Sequence, residues 1–150
     1  MDYASLFNEI IRFEIELWNL VENRLLEENQ LPLTWYEPMK VISVVDNCRV
    51  NDIALALSIT VGGVSKLIDR IEANGLCERR SDPSDGRSAI ICLTVEGTNK
   101  LNSATQTFNK EIENSISHLV SESELKNFQE FISLWRTSIR NRISGSTLIS

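Results

Sequence analysis

Residues 50–94 hold the pattern that most narrows what this chain can fold into. Within TVGGVSKLIDRIEANG, Val64, Leu67, Ile68 and Ile71 recur at helical spacing. Thr60 precedes them as a cap, and Gly75 follows at a place suited to a left-handed C-cap. Upstream, Asn51 can cap a short helix over DIALALS, with Ile53, Ala54 and Leu57 facing inward. Only Ser58 and Ile59 separate the two helices, the tight spacing of a helix-turn-helix unit. After Gly75 the period changes. LCERR and SAIICLT read as two short strands around the turn-rich SDPSDGR, with Ile91 and Leu93 alternating against Cys92 and Thr94. A β-hairpin directly behind a helix-turn-helix is a wing.

The rest of the chain reads as helix. From residue 3 to about residue 28, Leu6, Ile10, Phe13, Leu17 and Leu20 form one apolar stripe, and Phe7, Ile11, Trp18, Val21 and Leu25 form a second beside it. One small domain rarely covers both faces, so one is expected to pack on its own chain and the other on a partner subunit. Thr34 with Glu37 forms a capping-box pattern opening a second helix to about Asn47, with Pro38 in its first turn and a short extended piece at 48–50. Thr94 can cap a helix through Leu101 and Phe108 to about His118, and Ser121 opens a last one carrying Leu125, Phe128, Ile132, Trp135 and Ile139. The fold class expected is mostly α with a small β-hairpin wing. A winged helix-turn-helix region spans 32–100, dimerisation helices span 1–31 and 101–143, and residues 144–150 form a disordered tail.

Composition sets limits on function. The 150 residues, 42% apolar and 24% charged, suit one globular unit. The net charge of −6 sits entirely in residues 1–48, which hold 3 basic and 9 acidic side chains; 49–100 hold 7 of each. An acidic total therefore does not exclude nucleic-acid binding, but it removes the usual electrostatic argument for it. Cys48, Cys77 and Cys92 are odd in number and form no C-x-x-C pair, against both a disulfide framework and a zinc site, so reduced structural thiols are expected. No apolar run approaches membrane-spanning length, and MDYASLFNEI lacks a basic start followed by an apolar stretch, so a cytoplasmic location without membrane attachment is expected. His118 is the only histidine and has no partnered nucleophile motif, so no catalytic residue, metal or cofactor is expected.

Taken in order, IALALSIT, VSKLIDRIEANGLCERR and DPSDGRSAIICLT resemble the MarR family of winged helix-turn-helix transcriptional regulators. The run Asp85-x-Arg87 followed by a strand ending Leu93-Thr94 is the most distinctive part. Many members carry a basic residue where this chain has Gly86. The resemblance implies a homodimer that represses by binding double-stranded DNA at a pseudo-palindrome. It also implies release by a small aromatic or anionic ligand lodged between the dimer platform and the winged region.

The residues assign roles within that frame. A helix about 10–12 Å across fits a major groove about 12 Å wide. Ser65 and Lys66 are the candidates for base edges, and Thr60 and Arg70 for phosphates. Arg87 is placed to enter a narrow minor groove, with Asp85 orienting it and Asp82 forming the turn. Trp18, Trp35 and Tyr36 are candidate pocket residues, with plain core packing as the other reading. Gly62 and Gly63 open the recognition helix; either they let backbone N–H groups approach DNA closely, or they shift specificity onto Ser65, Lys66 and Arg87. On the first reading, Gly63→Ala should stabilise the fold and weaken DNA binding. The rival function is a winged-helix module that docks on protein or sequesters a ligand without specific DNA contact.

Overall fold

The computed structural model describes residues 1–146. It divides into two compact units, Met1–Glu111 and a second beginning at Ile112. The first contains α1 (Tyr3–Asn29), α2 (Leu33–Val44), α3 (Val50–Leu57), α4 (Val61–Ala73), β1 (Cys77–Asp82), β2 (Asp85–Leu93) and most of α5 (Val95–Ile116). The second contains the end of α5 and α6 (Glu122–Ser146). Residues 144–146 continue α6 instead of forming a tail, and 147–150 lie outside the described residues.

α1 starts because the Asp2 carboxylate accepts the Ala4 and Ser5 N–H groups, at 3.0 and 3.2 Å. It ends at Gln30, which turns left-handed at φ 50°. α2 begins at Leu33, ahead of the expected Thr34 cap. The Leu33 N–H donates to the Glu22 carboxylate of α1, so the donor a cap would satisfy is satisfied from a neighbouring helix. Pro38 consequently falls in the second turn and not the first, where its missing N–H removes one helical bond. α3 begins earlier than Asn51 would place it: Arg49 is the cap residue, and its N–H donates to the Asp52 carboxylate at 2.8 Å.

α4 follows the expected pattern. Thr60 Oγ1 accepts the Gly63 N–H at 3.1 Å, and Val64, Ile68 and Ile71 are wholly buried. The chain turns by 113° between α3 and α4, with the intervening Ser58 left-handed at φ 55°. At the other end Gly75 sits at φ 73°; its N–H bonds Glu72 O at 2.9 Å and the Leu76 N–H bonds Ile71 O at 3.2 Å, the paired bonds of a Schellman ending. Thr94 Oγ1 then donates to Gly75 O at 2.6 Å and accepts the Gly97 N–H at 3.0 Å, so one hydroxyl closes α4 and opens α5. β1 and β2 pair antiparallel, and the Ile91 N–H reaches back to Cys48 O at 2.8 Å, fastening the hairpin to the segment before α3.

The core of this unit takes Leu25 from α1, Tyr36 and Met39 from α2, Ile53 from α3, the inner face of α4, Ile91 from β2, and Leu101 and Ala104 from α5. Of the two stripes on α1, only Val21 and Leu25 are buried; Phe7, Ile11, Phe13 and Trp18 stay exposed. In the second unit, α6 exposes Phe128, Phe131, Leu134 and Ile143, and none of its residues through 145 is buried. Among the described residues no single helix is long and apolar enough to cross a membrane.

Candidate nucleic-acid interface

α4 presents its first turn and outer face to solvent. Thr60, Gly62, Gly63, Lys66 and Arg70 are exposed, and Ser65 is half-buried. The N–H of Gly63 is taken by the Thr60 hydroxyl, whereas that of Gly62 has no acceptor among the described residues. Val61 and Gly62 therefore carry the open donors of this helix end, and of the two glycines only Gly62 offers its N–H. A Cβ on Gly62 would meet nothing within 4 Å, but one on Gly63 would lie 3.1 Å from Thr60 Oγ1.

The acids and bases around α4 are sorted unequally. Asp69 and Glu72, the two acids of the helix, are both held by Arg79 of β1: Nη2 reaches Asp69 Oδ1 at 2.7 Å and Nη1 reaches the Glu72 carboxylate, which also accepts the Arg79 N–H at 2.9 Å. Arg79 Nη2 additionally reaches Ser65 O at 3.4 Å, so Ser65 lies at the edge of this cluster. Glu78 is paired in turn by Arg80, Nε to Oε1 2.6 Å. Among the described residues, the side chains of Lys66, Arg70 and Arg87 have no acid or hydrogen-bond partner. On α4 and the wing the described cations left without an acid partner are thus Lys66, Arg70 and Arg87, while both acids of α4 are engaged by Arg79.

The hairpin is built irregularly at its tip. Cross-strand pairing runs from Cys77↔Leu93 to Ser81↔Ala89 and then jumps to Asp82↔Asp85, leaving residues 86–88 without cross-strand partners. Asp82 forms the turn as expected: its Oδ1 accepts the Ser84 N–H at 2.8 Å and the Ser84 hydroxyl at 2.7 Å. Those bonds, helped by the Arg49 guanidinium, pull its carboxyl down to about 2. Asp85 Oδ1 accepts the backbone N–H of Arg87 at 3.1 Å, so the contact fixes the Arg87 main chain and leaves its guanidinium free in solvent.

Other expected residues fall elsewhere. Tyr36 is 1% exposed, stacks on Phe108 with centroids 5.1 Å apart, and shares a hydrogen bond with Thr105 Oγ1 at 3.2 Å, so it packs the core. Trp18 is 41% exposed and Trp35 half-buried. None of the three lines the groove of about 670 Å³ that runs between the start of α3 and the hairpin, bordered by Arg49, Asn51, Arg79, Asp85 and Ser88. Burial pushes the thiols of Cys48 and Cys77 up to about 11, which keeps both protonated and unreactive near neutral pH. Arg49 and Arg79 were not among the residues singled out from sequence. Arg49 was findable, since an acid three residues on, Asp52, marks it as a cap position; Arg79 was not, because its partners lie on a different element.

The pattern described as the MarR family matches residues 34–89. Multiple antibiotic resistance protein MarR of Escherichia coli (strain K12) is 31% identical over 100 residues, covering 63% of this chain and 69% of that protein. The solved structure of Sco3205, a MarR family transcriptional regulator from Streptomyces coelicolor in complex with DNA, matches with a TM-score of 0.81 at 19% identity, over 90% of this chain and 86% of that one. The S. aureus MepR-DNA complex matches with a TM-score of 0.77 at 25% identity, over 92% and 98%.

Proposed function

The chain belongs to the MarR family, and from that premise we propose that it is a transcription regulator that binds specific double-stranded DNA as a homodimer. The observation that carries the reading is the charge sorting on α4 and the wing. Arg79 covers both acids of α4, while Lys66, Arg70 and Arg87 are left to meet phosphates and groove edges. Lys66 and Ser65 then read bases in the major groove, with the Gly62 N–H, Thr60 and Arg70 on the backbone. Arg87 enters the minor groove beside it.

Two copies place two such units on a pseudo-palindrome. The apolar faces left open on α1 and on α6 are the surfaces we assign to the partner copy. Occupying promoter DNA represses transcription, and a small aromatic or anionic ligand releases it by preferring a spacing of the two recognition helices that the operator does not accept. Trp18, which is exposed, and Trp35, which is half-buried, are the aromatic candidates for that ligand; Tyr36 serves the core.

Selection of bound sequences from a random duplex pool tests this directly. An inverted repeat with half-site centres about 10 base pairs apart, or a multiple of that, is expected. A pool that stays random after repeated selection would overturn the reading.

A further inference from the structure

Arg49 occupies a helix cap that it does not serve with its side chain. Cap positions favour Ser, Thr, Asp and Asn because their side-chain oxygen accepts a backbone N–H, and a guanidinium has only donors. At α3 the cap is completed the other way round, by the Asp52 carboxylate accepting the Arg49 N–H. The guanidinium itself crosses to the hairpin. There Nη2 pairs with Asp82 Oδ2 and Nη1 donates to Ser88 Oγ, so one planar fork grips both strands.

Ser88 belongs to the three residues, 86–88, that lack cross-strand partners, and Arg87 is the middle one. With no ladder to hold it, this stretch depends on side-chain ties: Asp85 accepts the Arg87 N–H and, at 3.5 Å, the Ser88 hydroxyl, and among the described residues Arg49 alone ties Ser88 to an element outside the hairpin. The Ile91–Cys48 backbone bond lies just below, so the tie extends an existing attachment toward the tip.

We infer that Arg49 is a positioning residue for the wing. Its guanidinium braces the Arg87-bearing bulge against the start of α3, so that the helix-turn-helix and the wing tip present to DNA as one rigid body. The inference rests on the DNA-binding reading above and adds to it a residue that touches no DNA itself.

The test uses the full chain with Arg49→Thr, which supplies a good cap to α3 while removing the brace, and Arg49→Lys, which keeps the charge opposite Asp82 but cannot fork. Without DNA, hydrogen exchange at the Arg87 amide, whose N–H Asp85 accepts, should speed up at least about ten-fold in Arg49→Thr while α4 stays protected. On the selected duplex, Arg49→Thr should weaken binding about ten-fold when Arg87 is present and by less than about two-fold in an Arg87→Ala background, with Arg49→Lys in between. Unchanged exchange would overturn the brace. Equal losses in both backgrounds would overturn the positioning role, since Arg49 would then act independently of Arg87. A wild-type chain that preferred no duplex would sink the DNA-binding reading and the positioning role with it, and the exchange rates would still decide whether the brace exists.

Discussion

Gly62 and Gly63 stand side by side in the first turn of α4, yet a methyl group on each would meet different surroundings. At Gly62 it would meet open space, so Gly62→Ala should gain most of the helix propensity, about 0.5–1 kcal/mol in denaturant unfolding. At Gly63 it would press on the capping hydroxyl of Thr60 at 3.1 Å, so the stabilisation expected there from sequence should largely vanish. Because Gly62 also holds an open N–H, its alanine variant should bind the selected duplex more weakly despite folding better. Tighter or equal binding would leave readout to Ser65, Lys66 and Arg87. Gly75 was legible because a C-cap is a local matter, fixed by its left-handed φ and two nearby carbonyls. Gly97 was not: a Cβ there would sit 1.8 Å from Leu76 O, and that contact depends on how α5 lies against the end of α4. Arg49 shares that difficulty, since its cap position is local and its grip on Asp82 and Ser88 is not.

The recognition helix and β1 act as a pair through Arg79. Its carboxylate partners are well exposed, with side chains 63% and 37% accessible, so Arg79→Ala should change folding stability by no more than about 1 kcal/mol. DNA binding should suffer more. Two uncovered carboxylates would then face phosphates from α4, weakening the complex about ten-fold, and Asp69→Asn added to Arg79→Ala should recover part of the loss. Titration of the three proteins against one duplex checks this; an Arg79→Ala protein that bound as well as wild type would remove charge sorting from the account. At the level of elements, periodicity located each helix and strand among the described residues, and its error at the start of α2 fell where another element intervened. α2 starts at Leu33 because Glu22 of α1 accepts its N–H, an arrangement that the Thr34–Glu37 pattern could not reveal. The strands extend nearly to the tip because Asp82 closes its turn through Ser84, which shortens the apparent loop to Pro83 and Ser84.

For the whole molecule, the acidic total was the main obstacle to a DNA-binding reading, and the fold resolves it by placement. The surplus of acid lies in residues 1–48, outside α4 and the hairpin, and the acids within α4 are paired. Sequence could divide the charge along the chain but could not show which carboxylates were covered. The exposed faces of α1 and α6 were readable as apolar stripes, and their exposure in the single chain fits a protein that works as two copies. The central claim is that these two copies read DNA through α4 and through Arg87. The most direct measurement is the affinity of wild type and Arg87→Ala for the selected duplex and for a scrambled duplex of equal length, across a range of salt. Wild type should prefer the selected duplex by at least about a thousand-fold near physiological salt, with affinity falling steeply as salt rises. Arg87→Ala should weaken binding and flatten the salt slope by about two per dimer. Equal affinity for both duplexes, or a slope and affinity untouched by Arg87→Ala, would contradict the account.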